Sequence, residues 1–272
     1  MGNSRQHHFL AQCYLCNFAQ PIFSKQLRVY RRDTQCWKPV APRGIAWVPH
    51  LYQMITDAGE STDAFEKFLG REVESPAAPA LKKAALGFPL SDAERAALAL
   101  FLAITAARTP NMMATCLDKC LVDLTDEERD HVEKDVQYWT RSINRSPDIS
   151  SCREFLKPAL FAGILYWAAS LRYRLLRWKW SFITTTRDLP FITSDWPVFA
   201  AISGSGRSLV VSFPISSEIA LLVYEGGTLL EGRLALEDVR TMNRQTFAKA
   251  SEFVVCHQES FPGDEVLTEW AR

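Results

Sequence analysis

The sequence predicts an α+β fold with a central helical bundle and an antiparallel-rich sheet formed mainly by the C-terminal third and an N-terminal hairpin. Through the middle of the chain apolar residues recur at helical spacing, whereas Trp178, Trp180 and Phe182 alternate with polar residues. Helices grouped in the middle with strands near both ends are typical of α+β proteins. Because 272 residues carry no repeat or convincing linker, we expect a single domain over 1–272.

The N-terminal elements are short. Apolar spacing within 6–18 predicts a short helix. Segments 27–31 and 35–40 are rich in β-forming residues on either side of Arg32-Asp33-Thr34, which indicates a hairpin. A further extended piece is expected around 47–54.

Helices are predicted in the middle of the chain. The cap-forming residues at 61–63 open the first, which we expect to be interrupted near Pro76. Ser91 with Glu94 has the spacing of a capping box and opens the next helix. Thr125 with Glu128 opens another in the same way.

The last part of the chain combines one long helix with several strands. The apolar run within 153–177 predicts a buried helix, because it is too short to span a bilayer. A final helix is expected over 234–249, after or between β-rich stretches at 179–185, 190–194, 208–213, 218–224 and 252–257.

Composition and motifs exclude several classes of protein. Formal net charge is +0 and charged residues make up 23%, so nothing indicates general attraction to a polyanion. The N-terminus lacks the apolar core of a secretory signal, which predicts a cytoplasmic protein. Seven cysteines do not indicate a disulfide framework, and Cys13 and Cys16 lack the second pair that a zinc site needs. Phosphate-binding loops, dinucleotide fingerprints and His-Glu-x-x-His are also missing from the sequence.

Four motifs occur in order along the chain: a His-aromatic segment, a Glu-Lys-x-Leu helix, Arg-Thr-Pro, and a late Phe-Ile-Thr-Ser-Asp. They are formed by His8, Phe9, Tyr14, Leu15, Asn17, Phe18, Glu66, Lys67, Leu69, Glu74, Ser75, Ala77, Ala78, Pro79, Arg108 to Pro110, Phe191 to Asp195, Pro197 and Val198. This combination resembles the bacterial domain of unknown function 4238 family over most of the chain. Trp196 departs from the family's usual Asn. The resemblance implies a shared fold and transfers no reaction.

Imidazole, carboxylate and guanidinium groups within these motifs form the candidate site. His8, Glu74 and Asp195 are the predicted ligands of a divalent metal such as Mg, Mn or Zn, which would activate water in a hydrolase. Arg108 would hold a phosphate, so a phosphodiester or nucleic acid is the predicted substrate. These four residues are the catalytic candidates, and the further candidates are His7, Asn17, Glu66, Ser194 and Asn243.

Two other interpretations stay open. The same residues would form a structural polar network in a non-catalytic binding or regulatory module, with Glu66 and Glu74 paired to Lys67, Arg71 or Arg108. A basic and aromatic stretch would offer a local surface for nucleic acid, or else a cationic helix end, and contains Arg172, Arg174, Arg177 and Lys179.

Overall fold

The computed structural model of the chain describes residues 6–19, 26–55, 61–109, 126–144, 158–202, 209–226 and 232–257. The chain folds into two compact units, each assembled from separate stretches of sequence. The first unit comprises 1–9, 47–79 and 92–176, and the second comprises 10–46, 80–91 and 177–272. A single domain over 1–272 stays a prediction.

Helices and strands follow one another along the chain as follows. The α-helices are α1 (Gln12–Leu15), α2 (Ala64–Phe68), α3 (Ser75–Ala85), α4 (Asp92–Ala107), α5 (Asp126–Asn144), α6 (Pro158–Arg177) and α7 (Leu236–Lys249). The strands are β1 (Gln6–His8), β2 (Leu27–Arg31), β3 (Cys36–Val40), β4 (Trp47–Pro49), β5 (Met54–Ile55), β6 (Ser61–Thr62), β7 (Lys179–Thr184), β8 (Thr193–Ser194), β9 (Phe199–Ile202), β10 (Leu209–Pro214), β11 (Ile219–Tyr224), β12 (Gly232–Arg233) and β13 (Phe253–Cys256).

The first unit is mainly helical. Its short strands form two antiparallel pairs, β1 with β4 and β5 with β6. Large apolar side chains of α2 and α4, including Phe65, Phe68, Phe101 and Leu102, are almost completely buried. Their removal from water stabilises the helices that carry the candidate site.

A π-helical segment, Leu69–Glu74, connects α2 to α3. The backbone N–H of Ser75 donates to Gly70, which is a bond to the fifth preceding residue. Pro76 and Pro79 lack an N–H, so they cannot make the α-helical bonds to Glu72 and Ser75. The predicted interruption near Pro76 is therefore wrong, because the helical path continues through a wider turn.

The second unit contains two sheets and α7. One sheet has the strand order β12-β7-β11-β10-β9 and the other β3-β2-β13-β8. Val239 of α7 packs in an apolar cluster with the first sheet, and Phe247 packs in a cluster with residues of the second. Helix α7 thus contributes one apolar surface to each of these clusters.

The predicted α+β class is confirmed, and so is the hairpin of β2 and β3. The central bundle is not confirmed. Residues 6–8 form a strand instead of the start of a helix, and β9 and β12 were not predicted. Thr125 and the start of the long helix, at 153–157, lie outside the described residues.

No helix in the described part of the chain is both long and apolar enough to span a bilayer.

Candidate functional site

An ion pair of Arg108 and Glu74 forms the centre of the candidate site in the first unit. Arg108 follows α4, and its Nη2 donates to Oε1 of Glu74 at 2.7 Å. The Arg108 side chain is 0% exposed and that of Glu74 is 27% exposed. A buried guanidinium needs such a carboxylate, because an unpaired charge is costly away from water.

Most of the hydrogen-bonding capacity of Arg108 is not used by the residues that the structure describes. A guanidinium has five N–H donors on three nitrogens. Among the described residues, Nε and Nη1 of Arg108 have no hydrogen-bond partner. Burial lowers the pKa of Arg108, but Glu74, Tyr52 and Glu66 raise it by more, so the group stays a cation.

Glu66 of α2 is the second carboxylate beside Arg108. Burial raises the pKa of Glu66 to about 7, and Glu74 adds to this rise while Arg108 opposes it. The backbone N–H of His8 also donates to the Glu66 carboxylate. Oε2 of Glu66 is buried and, in the described part of the chain, has no partner. A carboxyl group with this pKa can give or take a proton near neutral pH.

The π-helical segment explains why both glutamates interact with one arginine. Glu66 and Glu74 are eight residues apart, which on an α-helix at about 100° per residue leaves them roughly 80° apart. A π-helical turn contains more residues, so each residue turns by less and the two side chains come closer to a common face. We call Glu66, Glu74 and Arg108 the Arg108 cluster.

Hydroxyl groups add to the unpartnered polar atoms of the first unit. Thr62 and Thr105 are 3% and 0% exposed. Neither Oγ1 atom has a hydrogen-bond partner among the residues described. Thr105 precedes Arg108 by three residues, so the two lie on the same face of α4 and its continuation.

His7 is engaged on both sides of its ring. The backbone N–H of Tyr52 donates to Nδ1 at 2.8 Å, and Nε2 lies 3.1 Å from Oδ1 of Asp63. Because Nδ1 accepts, the proton of a neutral His7 is on Nε2 and is donated to Asp63. The ring also stacks on Tyr52, with centroids 5.7 Å apart. His7 therefore holds β1 beside the segment that contains Tyr52.

The late motif builds a different network in the second unit. The Tyr14 hydroxyl donates to the Pro214 carbonyl at 2.9 Å and lies 2.6 Å from Oγ1 of Thr193. The Thr193 hydroxyl is then the donor of that second bond. Burial raises the pKa of Tyr14, so the phenol stays protonated and anchors the start of β8.

Asp195 binds the backbone where α7 leads into β13. Oδ1 accepts the N–H of Ser251 at 3.0 Å, and Oδ2 accepts the N–H of Glu252 at 3.1 Å. Burial raises the pKa of Asp195 to about 6, against the effect of these bonds. The carboxylate thus fixes a chain connection.

Asn243 and Ser194 also bind backbone groups. Nδ2 of Asn243 donates to the Pro190 carbonyl at 2.8 Å, and its Oδ1 accepts the Ile192 N–H at 3.2 Å. The Ser194 hydroxyl donates to the Trp196 carbonyl and accepts the Trp196 N–H, both at 3.1 Å. We call Tyr14, Asp195 and Asn243 the backbone-bound network.

The predicted metal ligands belong to different units. His8 and Glu74 are in the first and Asp195 is in the second. Within the described ranges, no three His, Cys, Asp or Glu side chains are grouped as the ligands of one metal ion. The metal site formed by His8, Glu74 and Asp195 stays a prediction.

Two other sets of predicted residues differ in their surroundings. Asn17 lies in the 3₁₀ turn Cys16–Phe18, and its buried Nδ2 has no partner in the described segments. In the basic stretch, Arg172 forms an ion pair with Asp135, whereas Arg177 and Lys179 are exposed. The basic surface for nucleic acid therefore loses one of its four cations to an internal pair.

The sequence interpretation missed Tyr52, Asp63 and Thr105. Asp63 was predicted only as a helix cap, yet its carboxylate meets His7. The spacing of Thr105 three residues before Arg108 was the available signal, since it places a hydroxyl and a guanidinium on one helix face. Tyr52 gave no local signal, because its electrostatic interaction with Arg108 arises only in the folded unit.

Comparison with known proteins places the chain in a family. The profile of DUF4238, described as a protein of unknown function, matches residues 6–260 of the 272. No curated protein and no solved structure matches the chain. The matched span includes both the Arg108 cluster and the backbone-bound network. The chain thus belongs to the DUF4238 family of proteins of unknown function.

Proposed function

We propose that the protein is a hydrolase of phosphodiesters and that the Arg108 cluster is its active site. The observation that carries the proposal is a completely buried arginine beside a carboxyl group, with two nitrogens that have no partner among the described residues. Guanidinium groups bind phosphate through paired N–H donors. Buried donors in a native protein usually have a partner, and a phosphate oxygen is a suitable one.

Glu66 is the general acid in this proposal. At neutral pH a large fraction of Glu66 holds its proton, because burial raises its pKa to about 7. Water attacks phosphorus, the ester P–O bond breaks, and Glu66 gives its proton to the leaving oxygen. The proton released by the attacking water restores Glu66. The products are a phosphomonoester and an alcohol, and water is the only co-reactant.

Glu74 and His8 have supporting roles. Glu74 holds the guanidinium of Arg108 through the 2.7 Å bond, and the backbone N–H of His8 orients the Glu66 carboxylate. Glu74 is also the partly exposed member of the ion pair, so the substrate would enter from its side. We further expect the protein to act in the cytoplasm on nucleic acid or a related diester.

The metal-dependent form of this hydrolase would use Mg²⁺, Mn²⁺ or Zn²⁺ held by His8, Glu74 and Asp195. Glu74 is bound to Arg108 and Asp195 to backbone N–H groups. Both carboxylates thus already have partners within the protein, and no step above uses a metal. Its test is a thermal shift with each ion. A rise in melting temperature with an ion that Asp195→Ala abolishes would support this form. Identical melting curves of the parent protein with and without each ion would contradict it.

Hydrolysis of two diesters with different leaving groups tests the proposal. We expect Glu66→Gln to slow cleavage of a dinucleoside phosphate by about 100-fold or more, since its alkoxide needs a proton. Cleavage of bis(p-nitrophenyl) phosphate should slow by a smaller factor, because its nitrophenolate leaving group depends less on protonation. The matched control is Glu72→Gln, because Glu72 pairs with Arg71 on the same helical stretch.

Two results would contradict the hydrolase. One is no cleavage of either diester by the parent protein, with or without each of the three metal ions. The other is an equal rate for Glu66→Gln and Glu72→Gln on the dinucleoside phosphate.

A non-catalytic binding or regulatory module is the second candidate. It is favoured by the side chains of His7, Asp195 and Asn243, which are bound inside the protein. This candidate predicts that a phosphodiester remains intact after prolonged incubation with the protein. Cleavage that depends on Glu66 would exclude it.

A further inference from the structure

The hydroxyl of Thr105 is unusual for a threonine inside a helix. Such hydroxyls commonly bond the carbonyl four residues earlier. Thr246 bonds Met242 in this way at 3.0 Å, and Ser170 bonds Tyr166 at 2.9 Å. Thr105 is 0% exposed, yet its Oγ1 has no partner among the residues that the structure describes. A buried hydroxyl without a bond destabilises the folded protein.

The same helix face holds the unpartnered nitrogens of Arg108. Residues three apart on a helix have Cβ atoms about 5–6 Å from each other. Arg108 is also 0% exposed, and its Nε and Nη1 have no partner within the described residues. Two neighbouring groups with unused hydrogen-bonding capacity, both shielded from solvent, indicate a position where one ligand contacts both.

We propose that Arg108 and Thr105 together bind the two non-bridging oxygens of a phosphodiester, which makes Thr105 a substrate-binding residue. This inference rests on the proposed hydrolase and names the group that the Arg108 cluster recognises. Arg108 donates from one of its unpartnered nitrogens to one oxygen, and the Thr105 hydroxyl donates to the other. Arg108 thereby supplies charge and Thr105 supplies orientation.

The charges of the cluster favour a monoanion. Arg108 already shares its charge with Glu74 at 2.7 Å, and Glu66 is a second acidic neighbour. A phosphodiester adds one negative charge, whereas a phosphomonoester or sulfate adds up to two and meets more repulsion from Glu74. The site should therefore bind a diester in preference to a dianion.

Calorimetric titration with dimethyl phosphate tests this inference, because its single charge is constant over the working pH range. We expect Thr105→Val to bind it about tenfold more weakly, the loss of one hydrogen bond. Thr105→Ser keeps a hydroxyl and should bind like the parent. The matched control is Thr246→Val, which also replaces a buried helical threonine and should leave binding unchanged.

The outcomes separate this inference from the proposed function. If Thr105→Val binds like the parent while Arg108→Gln loses binding, Thr105 is not a binding residue but the phosphodiester site remains. If the parent binds sulfate more tightly than dimethyl phosphate, the preference for a diester is wrong. If the parent binds neither probe, both the subsite and the hydrolase proposal fail.

Discussion

The backbone-bound network and the Arg108 cluster are both buried and both polar, but they differ in how their hydrogen bonds are used. Both oxygens of Asp195 and both ends of the Asn243 amide contact backbone groups. In the Arg108 cluster, Arg108 and Glu66 keep polar atoms without partners in the described part of the chain. Saturated groups fix a fold, whereas unsaturated groups are available to a ligand.

The comparison separates residues that the family resemblance groups together. Tyr14 and Asp195 occur in the segments that carry the resemblance, and so do Glu74 and Arg108. Membership of a motif therefore does not distinguish a structural residue from a binding residue. The two kinds are distinguished by whether the polar atoms of the side chain have hydrogen-bond partners.

Arg108→Met should have the largest effect on stability. The substitution leaves Glu66 and Glu74 without their cation, and breaking a buried pair typically costs about 3–5 kcal/mol. Urea unfolding measures the loss. The control is Arg71→Met, whose pair with Glu72 lies at the surface and should matter by less than about 1 kcal/mol. Equal losses in the two variants would show that the cluster does not depend on its arginine.

Glu66→Gln should change how stability depends on pH. The folded protein keeps the Glu66 proton up to about pH 7, whereas the unfolded chain releases it near 4.5. The folded state thus binds more protons between these values, and stability falls as the pH rises through this window. Gln removes this fall, so the variant should gain about 3 kcal/mol relative to the parent from pH 4.5 to pH 7. Parallel curves in urea unfolding would contradict the raised pKa.

Asp195→Ala should weaken the fold but leave phosphodiester binding unchanged. The backbone N–H groups of Ser251 and Glu252 lose their acceptor, which should lower the free energy of unfolding by about 2 kcal/mol. Asp188→Ala, at an exposed position, is the control and should change it by less than about 0.5 kcal/mol. A loss of dimethyl phosphate binding in Asp195→Ala would place Asp195 among the binding residues.

Tyr14→Phe should cost about 1.5 kcal/mol in urea unfolding, because the Pro214 carbonyl loses its donor and Thr193 loses its acceptor. The double variant Tyr14→Phe, Thr193→Val should lose less unfolding free energy than the sum of the two single variants. In Tyr14→Phe the Thr193 hydroxyl has already lost the Tyr14 acceptor, so its removal costs less. Strict additivity would mean that the two hydroxyls do not interact.

Thr105→Val should have the smallest effect on stability. Its hydroxyl makes no hydrogen bond within the described residues, so an apolar side chain of the same shape should change the free energy of unfolding by less than about 0.5 kcal/mol. Thr246→Val loses a bond to Met242 and should cost more in the same experiment. The reverse order would show that Thr105 is bound inside the protein.

Local patterns predicted much of the fold. The β2–β3 hairpin, α4 and α7 follow from residue preferences and short-range spacing. The strand at residues 6–8 was not predicted by local patterns, because it depends on pairing with β4 some forty residues later. The π-helical segment was also missed, since the proline signal near Pro76 is equally compatible with a break.

The proposed site keeps several residues that the sequence predicts but gives some of them other roles. Arg108 was expected to hold a phosphate and remains the centre of the proposal. Glu66 was a further candidate only, because its pKa depends on burial beside Arg108 and Glu74. Asp195 looked like a strand-end ligand, but the N–H groups that occupy it come from residues 251 and 252. Such long-range partners leave no trace in local spacing.

The π-helical segment makes the backbone conformation between Glu66 and Glu74 a determinant of the site in its own right. If 69–74 became α-helical at the same chain length, Glu74 would turn away from Glu66 by roughly 80°, whereas deletion of one residue would leave the two glutamates about 20° from a common face. Among relatives, loss of one residue in this stretch would therefore replace the wide turn with an α-helical turn while keeping both glutamates on one side of the helix.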